Sequence, residues 1–100
     1  MKKEFISQPM NGKTNEEILA VREDAIAKVK EHYDVEEVEV IDSFFQGAPH
    51  DAKPLWYLGE SIKLLSTADV CVFAKGWSLA RGCKIEHDCC LMYGIAVIEL

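Results

Sequence analysis

Val70-Cys71-Val72-Phe73-Ala74 is a run of apolar residues, and Lys75-Gly76-Trp77-Ser78-Leu79-Ala80-Arg81-Gly82-Cys83-Lys84-Ile85-Glu86-His87 follows it directly. A short apolar run of this kind is typical of a central parallel strand that is buried on both faces. Apolar residues recur at helical spacing over residues 79–93, so this segment predicts a helix after the strand and a short loop. A strand, a loop and a helix in this order form the unit from which parallel sheets are built.

Glu86 lies in the middle of the apolar side of this predicted helix. That side is formed by Leu79, Gly82, Cys83, Cys89, Cys90 and Tyr93. An unpaired carboxylate on such a face is costly, and Arg81 and Lys84 stand in the first turns, where the helix dipole disfavours cations. A buried acid beside a positive helix start is compatible with an active site for an anionic substrate. A structural ion pair is the alternative.

The remaining chain repeats the alternation of strand and helix. We expect strands at residues 5–7, 38–41, 70–74 and 95–98, and helices at 14–32, 54–65 and 79–93. Thr14 and Glu17 form a capping box at the start of the first helix, and Gly94 suits the end of the third. A chain of 100 residues fits a single domain, over residues 1–100. Right-handed crossovers then predict a three-layer α/β fold with a doubly wound parallel sheet of about four strands in the order 2-1-3-4, as in flavodoxin-like folds.

Ligands in such sheets bind beyond the carboxyl ends of the strands, near the point where the strand order reverses. Three segments meet there, at residues 7–13, 42–53 and 75–78, together with the start of the third helix. Neither GxGxxG nor GxxxxGK[ST] occurs in the chain. Backbone amides near Ser78, with Gly82 allowing a close approach, could still hold a phosphate, although Ser78 could also serve only as a helix N-cap.

The composition excludes several functional classes. The chain has 100 residues and a formal net charge of −6, whereas a nucleic-acid-binding surface normally needs a basic stripe, so we expect no nucleic-acid partner. No apolar run approaches the roughly 20 residues of a membrane span, and the first residues do not resemble a signal peptide. We therefore expect no membrane association and a cytoplasmic location, with the four cysteines as free thiols.

Cys83 and His87 are spaced i, i+4 and could chelate a metal, but no further ligands stand at a recognisable spacing. Cys83 on the apolar side is more typical of a small buried hydrophobe than of a nucleophile. We therefore expect no metal and no cofactor. Trp77 is an aromatic residue near the switch point that could stack on a base, whereas some of the other aromatic residues suit a subunit interface. These others are Phe44, Phe45, Trp56 and Tyr57.

Four parts of the chain together resemble the nucleoside deoxyribosyltransferase-like superfamily, most nearly its small, functionally unassigned bacterial and phage members. They are Ile6–Gly12, Arg22 in the first helix, Leu65–Val70 and Gly76–His87. The resemblance spans nearly the whole chain. It implies a nucleoside or nucleotide as the ligand and Glu86 as a nucleophile that attacks the anomeric carbon of the sugar. Both the deoxyribosyltransferases and the deoxynucleoside monophosphate N-glycosidases of this superfamily use a glutamate at this helix in that way.

With this resemblance, the predicted substrate-binding residues surround the sugar or the phosphate. They are Ser7, Gln8, Met10, Asn11, Gly12, Arg22, Ser43, Trp77, Ser78, Arg81 and Gly82. Arg22 falls within the apolar stripe of its helix, where a snorkelling side chain is the alternative. The small size and the open sheet edges also predict a homo-oligomer, a dimer or a tetramer. The resemblance implies that a neighbouring subunit completes the pocket.

Two positions depart from the pattern of the family. Ser61 stands where the enzymes carry an aspartate that assists the leaving base, although Glu60 is adjacent, and Ala80 stands where they carry a serine or an aspartate. Three hypotheses therefore remain open. The chain is an N-glycosidase or deoxyribosyltransferase acting through Glu86, or a non-catalytic nucleotide-binding module that sequesters a ligand or regulates. In the third, it binds no ligand and Glu86 forms an ion pair with Arg22 or Arg81.

Overall fold

Strands and helices alternate along the computed structural model, which describes residues 1–43 and 48–100. Its elements are β1 (Lys2–Ser7), α1 (Asn15–Tyr33), β2 (Val38–Val40), α2 (Pro54–Leu65), β3 (Val70–Phe73), a 3₁₀ turn (Trp77–Leu79), α3 (Arg81–Tyr93) and β4 (Ala96–Glu99). Phe44 and Phe45, which the sequence assigns to a subunit interface, lie outside the described residues.

The four strands form one parallel sheet in the order β2-β1-β3-β4, which confirms the predicted topology. The central strands β1 and β3 pair from Glu4 opposite Val70 to Ser7 opposite Phe73. The strand order reverses between these two strands, so Ser7 and Phe73 stand at the switch point of the sheet. The fold is therefore a doubly wound, flavodoxin-like α/β fold.

Alternate residues of β3 pack against helices on opposite faces of the sheet. Val70 and Val72 form a buried cluster with two α1 residues, Ala25 and Val29. The residues between and after them, Cys71 and Phe73, belong to a second cluster that includes Leu65 of α2 and Cys90 of α3. The continuous apolar run is thus buried from both sides, as expected for a central parallel strand. This packing gives three layers, with α1 on one face and α2 and α3 on the other.

The predicted start of α1 and the predicted end of α3 are confirmed. The Glu17 backbone N–H donates to the Thr14 side-chain oxygen at 3.1 Å, and the Thr14 backbone N–H donates to the Glu17 carboxylate at 3.4 Å. This reciprocal pair satisfies two N–H groups that the first turn of a helix otherwise leaves unpaired. Gly94 ends α3 in the left-handed conformation, with a φ of 73°, and its N–H donates to the Cys90 carbonyl.

The start of α3 differs from the prediction by two residues. Leu79 belongs to the 3₁₀ turn and is 91% exposed, and Tyr93 at the other end is 82% exposed, so neither shares the apolar side of the helix. Two backbone features before Arg81 explain the difference. Gly76 has a φ of 86°, which opens the 3₁₀ turn, and Ala80 is extended, which separates this turn from α3.

None of the helices in the described part of the chain combines the length and the apolar character that crossing a bilayer requires.

Candidate functional site

A cleft of about 1200 Å³ opens at the carboxyl ends of β1 and β3. It lies between the loop after β1, the start of α2, and the turn and helix start after β3. Its lining comprises residues 5–11, 13, 43, 53–55, 57, 58, 61, 75, 76, 79–83, 85 and 86. This is the edge at which doubly wound sheets bind ligands.

Glu86 lies in this cleft, and the residue is 7% exposed. It comes from the buried side of α3 and accepts a hydrogen bond of 2.7 Å from the Ser7 hydroxyl to its Oε1. Ser7 is the last residue of β1 and faces the α3 side of the sheet because side chains alternate along a strand. No described residue forms an ion pair with Glu86. The predicted pairing with Arg22 or Arg81 is therefore not what holds this carboxylate.

The surroundings of Glu86 set its protonation. Burial raises the pKa of Glu86 above the ordinary value of a carboxyl group, and the hydrogen bond from Ser7 opposes this shift because it stabilises the ionised form. Burial likewise raises the pKa of the neighbouring Cys83 thiol, against a smaller effect of its hydrogen bond with Ser7. A raised pKa disfavours the thiolate, so Cys83 is a poor nucleophile here.

Eight of the predicted site residues line the same cleft. They are Ser7, Gln8, Met10, Asn11, Ser43, Arg81, Gly82 and Glu86. Gln8 is also tied to the first helix, because its side-chain amide donates to the Ile18 carbonyl at 3.3 Å. These residues come from three separate segments of the chain, and the fold brings them to one edge of the sheet.

Four other predicted residues do not line the cleft. Trp77 stacks on His87, with ring centroids 3.8 Å apart, and packs against the core cluster under α3. Ser78 is exposed within the 3₁₀ turn, and Ala80 takes the N-cap position of α3 in its place. Gly12 is exposed between lining residues, with a φ of 75°.

The fourth predicted residue that does not line the cleft is Arg22. It stands on α1, which packs on the opposite face of the sheet from Ser7. Its side chain is exposed, and its charge acts on Glu4 of β1. Glu4 is 0% exposed, and neither of its carboxylate oxygens has a hydrogen-bond partner among the described residues. Burial raises the pKa of Glu4 to about 7, although the Arg22 charge acts in the other direction. Sequence reasoning missed Glu4, since only its place in a strand paired on both sides shows that it is buried.

Sequence reasoning also missed three lysines at the rim of the cleft, namely Lys13, Lys53 and Lys75. The sequence did contain a sign of them, because each lysine stands in one of the three segments predicted to meet at the switch point. Single lysines in loops are common on protein surfaces, so the pattern becomes informative only once the fold places them around one cleft.

The two positions at which the sequence resemblance fails both line the cleft. Ser61 and Ala80 contribute to its lining, whereas Glu60 is absent from it and pairs with Lys63 at 3.1 Å. Among the described lining residues, Glu86 is the only acid. In the described part of the chain, no group of three His, Cys, Asp or Glu residues is arranged to hold a metal ion.

Comparison of the chain with protein-family models, with curated proteins and with solved structures finds no match. The cleft and its residues are therefore the basis on which a function is proposed.

Proposed function

We propose that the cleft binds a nucleoside or nucleotide and that Glu86 cleaves the bond between the sugar and the base. The observation that supports this proposal is the buried Glu86 carboxylate, held by the Ser7 hydroxyl within a cleft at the switch point. A carboxylate kept in an apolar face at such a place has a position suited to attack on a bound sugar. The resemblance to the nucleoside deoxyribosyltransferase-like superfamily, in which a glutamate at this helix has that role, agrees with the proposal.

In the proposed step, a carboxylate oxygen of Glu86 attacks the anomeric carbon and forms an ester bond to the sugar. The bond from that carbon to the base nitrogen breaks, and its electron pair leaves with the base, which takes a proton from water. Water then hydrolyses the ester and regenerates Glu86. If a second base attacks the ester instead of water, the same residue catalyses a transfer of the sugar.

Ser7 has a positioning role in this proposal. Its hydroxyl donates to Oε1 of Glu86 and so fixes the orientation of the carboxylate. The same bond favours the ionised carboxylate, which is the nucleophilic form, against the effect of burial. Apolar side chains on the α2 and α3 sides of the cleft, among them Leu58 and Ile85, offer a surface for the flat base.

The test is base release from the purified chain with a panel of ribo- and deoxyribonucleosides and their phosphates, separated by chromatography. We expect release of free base from at least one compound and a loss of ~10³-fold or more in Glu86→Gln, because the amide cannot form the ester. Glu60→Gln is the matched control, since Glu60 faces Lys63 outside the cleft lining and its loss leaves the rate unchanged. The proposal fails if no compound releases base or if Glu86→Gln is as active as the unmodified chain.

A second candidate function is a non-catalytic nucleotide-binding module. It is favoured by Ser61 and Ala80, which face the cleft where the family carries groups that assist the reaction. In this case nucleotides raise the melting temperature, because a ligand that binds only the folded state stabilises it, and no base is released. Absence of any thermal shift across the panel contradicts this second function.

We also propose that the chain forms a homo-oligomer, a dimer or a tetramer. Large apolar side chains are exposed beside the cleft, notably Leu55, Leu79 and Ile85, and one subunit can cover those of another. Sedimentation velocity at chain concentrations from about 1 to about 100 µM tests this proposal, because the population of an oligomer depends on protomer concentration. A species heavier than one chain supports it, and a monomer throughout contradicts it.

A further inference from the structure

The cleft has a charge opposite to that of the chain as a whole. Four cations line it, Lys13, Lys53, Lys75 and Arg81, against the single acid Glu86, although the formal net charge of the chain is −6. All four are exposed, and none of them forms an ion pair with a described residue. Charges of one sign around a cleft raise the local concentration of ligands of the opposite sign. The charge of the lining therefore favours an anionic ligand.

Two helices begin at the cleft without side-chain caps. Neither the N-cap of α2, Lys53, nor that of α3, Ala80, makes a side-chain hydrogen bond to its helix, and neither first turn contains an acidic residue. Only α1, which starts elsewhere, has a capping box and acids in its first turn. At α3, the unpaired N–H groups and the positive end of the helix dipole favour an anionic oxygen. At α2, Pro54 has no N–H and the Trp56 N–H donates to the Lys53 carbonyl at 2.9 Å, so this start contributes mainly its dipole. The helix starts thus add to the attraction of the four cations.

The cations fall into two pairs. Lys13 and Lys75 stand in the loops after β1 and β3, which touch: a Cβ added to Gly76 would lie 3.7 Å from Cγ of Pro9. These two lysines also border a second, smaller cavity of about 250 Å³ on the α1 side. Lys53 and Arg81 stand at the starts of α2 and α3, on the other side of the cleft. Each pair of cations could bind one anionic group.

The acids nearest to the first pair do not neutralise it. Glu17 and Asp24 border the smaller cavity together with Lys13 and Lys75. Glu17 is engaged in the cap of α1, where it accepts hydrogen bonds from Thr14. Within the described residues, neither acid lies at ion-pair distance from either lysine. Both lysines therefore remain available to an anion in the larger cleft.

From this arrangement we infer that the cleft recognises a nucleotide carrying two phosphates, one held by Lys13 and Lys75 and the other by Lys53, Arg81 and the helix starts. The inference rests on the proposed function and specifies the class of its substrate. The cleft volume of about 1200 Å³ agrees with a large ligand, since pockets for small molecules commonly measure about 300–1,000 Å³. A nucleoside diphosphate and a dinucleotide joined through a pyrophosphate both carry the two phosphates that this arrangement of cations requires.

Calorimetric titration of the purified chain with a nucleoside, its monophosphate and its diphosphate tests the inference. We use the adenine series first and repeat it with the guanine, cytosine and uracil series. The affinity rises at least ~10-fold with each added phosphate, because each brings charge-assisted hydrogen bonds to one pair of cations. Comparing the affinity for diadenosine pyrophosphate with that for the nucleoside diphosphate shows which of these two ligands the cleft prefers. Equal affinities for nucleoside and diphosphate, or no binding in any series, overturn the inference.

Charge-removing variants locate the two phosphates. Arg81→Gln and Lys75→Gln each reduce the affinity for the diphosphate ~10-fold and leave the affinity for the nucleoside unchanged. Lys84→Gln is the matched control for Arg81, because it removes a cation from the same helix outside the cleft lining. A loss in the control as large as that in Arg81→Gln contradicts the inference, since it points to the net charge of the chain rather than to the cleft.

The outcomes for this inference and for the proposed function are separable. Binding that strengthens with phosphate number but releases no base supports the inference and contradicts catalysis by Glu86. Base release with the same kcat/KM for the nucleoside and the diphosphate supports catalysis and contradicts the inference, because a phosphate that binds the cleft lowers KM.

Discussion

Ser7 and Glu86 stand 79 positions apart in the chain, and one hydrogen bond of 2.7 Å joins them in the cleft. The helical pattern alone predicts that Glu86 lies on a buried face, because the neighbouring apolar residues fix that side of the helix. Its partner could not be predicted, since the contact depends on the register of β1 beside β3 and on the position of α3 above them. A buried carboxylate with one defined donor is the feature on which the proposed chemistry depends.

At the residue scale, Ser7→Ala tests the role of the hydroxyl. Its loss removes the bond that favours the ionised carboxylate, so the pKa of Glu86 rises further and base release requires a higher pH. We also expect a loss of about 1–3 kcal/mol in the free energy of unfolding above that pKa, where the buried charge has lost its donor. The measurements are the pH profile of base release and urea unfolding.

The matched control for this variant is Ser66→Ala. The Ser66 hydroxyl donates to the Lys63 carbonyl at the exposed end of α2, away from the cleft. Its pH profile stays that of the unmodified chain. An unchanged profile in Ser7→Ala as well contradicts the assigned role of Ser7.

At the scale of elements, the start of α1 could be predicted and the start of α3 could not. Thr14 and Glu17 carry a local signal, because a capping box needs only residues three positions apart. The start of α3 instead follows a 3₁₀ turn whose Trp77 ring stacks on His87, a contact that no short segment reveals. The same stack explains why Trp77 packs against the core cluster and does not line the cleft. Local chemistry therefore predicts helix ends well only when the cap lies within the segment itself.

The uncapped start of α3 leads to a prediction for Ala80→Ser. Ala80 has the extended backbone of an N-cap but no side-chain oxygen to accept the N–H groups of the first turn. A serine supplies one, so we expect a gain of about 0.5–2 kcal/mol in the free energy of unfolding, measured by urea titration. The hydroxyl also competes with an anionic ligand for these N–H groups, so binding of the diphosphate weakens. A less stable variant with unchanged binding contradicts the assignment of this helix start to an anion.

The opposite change at α1 shows whether capping itself affects the cleft. Thr14→Ala removes the side-chain acceptor of the capping box and costs about 1 kcal/mol of stability. Thr14 does not line the cleft, so the affinity for the nucleotide panel stays the same. A fall in affinity comparable to that in Ala80→Ser indicates that a change at either helix cap alters the cleft, and contradicts specific competition at the start of α3.

At the scale of the whole molecule, the fold follows from the order of the elements. Alternating strands and helices with right-handed crossovers leave few arrangements, and the observed order β2-β1-β3-β4 is the one predicted. The charge of the cleft was missed, although Lys13, Lys53 and Lys75 each stand in a segment predicted to lie at the switch point, because a single lysine in a loop is informative only once the fold places it at the cleft. The same is true of Glu4, whose burial between β2 and β3 depends on the register of the sheet.

Glu4 also gives a prediction for the pH dependence of global stability. Burial raises the pKa of Glu4 from 4.5 to about 7, so between these values the folded chain keeps a proton that the unfolded chain has released. This contribution is complete below the unfolded pKa and is lost as the pH rises through 7, by up to about 3 kcal/mol. Glu4→Gln removes this fall, so the variant gains stability relative to the unmodified chain between pH 5 and pH 8.

Thermal and urea unfolding at the two pH values measure this difference. Glu39→Gln on the neighbouring strand is the control, because Glu39 is exposed and pairs with Lys3 at the surface. Part of the fall remains in both variants, since burial also raises the pKa of Glu86. If Glu4→Gln and Glu39→Gln have the same pH dependence, the buried carboxyl of Glu4 does not control stability in this range.

The most direct test of the account asks where the sugar goes when the base leaves. The chain is mixed in excess with the compound of the panel that releases base fastest, quenched with acid within one turnover, and digested for peptide mass spectrometry. We expect the peptide that contains Glu86 to carry the mass of the sugar moiety in proportion to the base released, and no such peptide in Glu86→Gln. Sugar attached to another residue, or base released by Glu86→Gln at the rate of the unmodified chain, would contradict the assignment of Glu86 as the nucleophile.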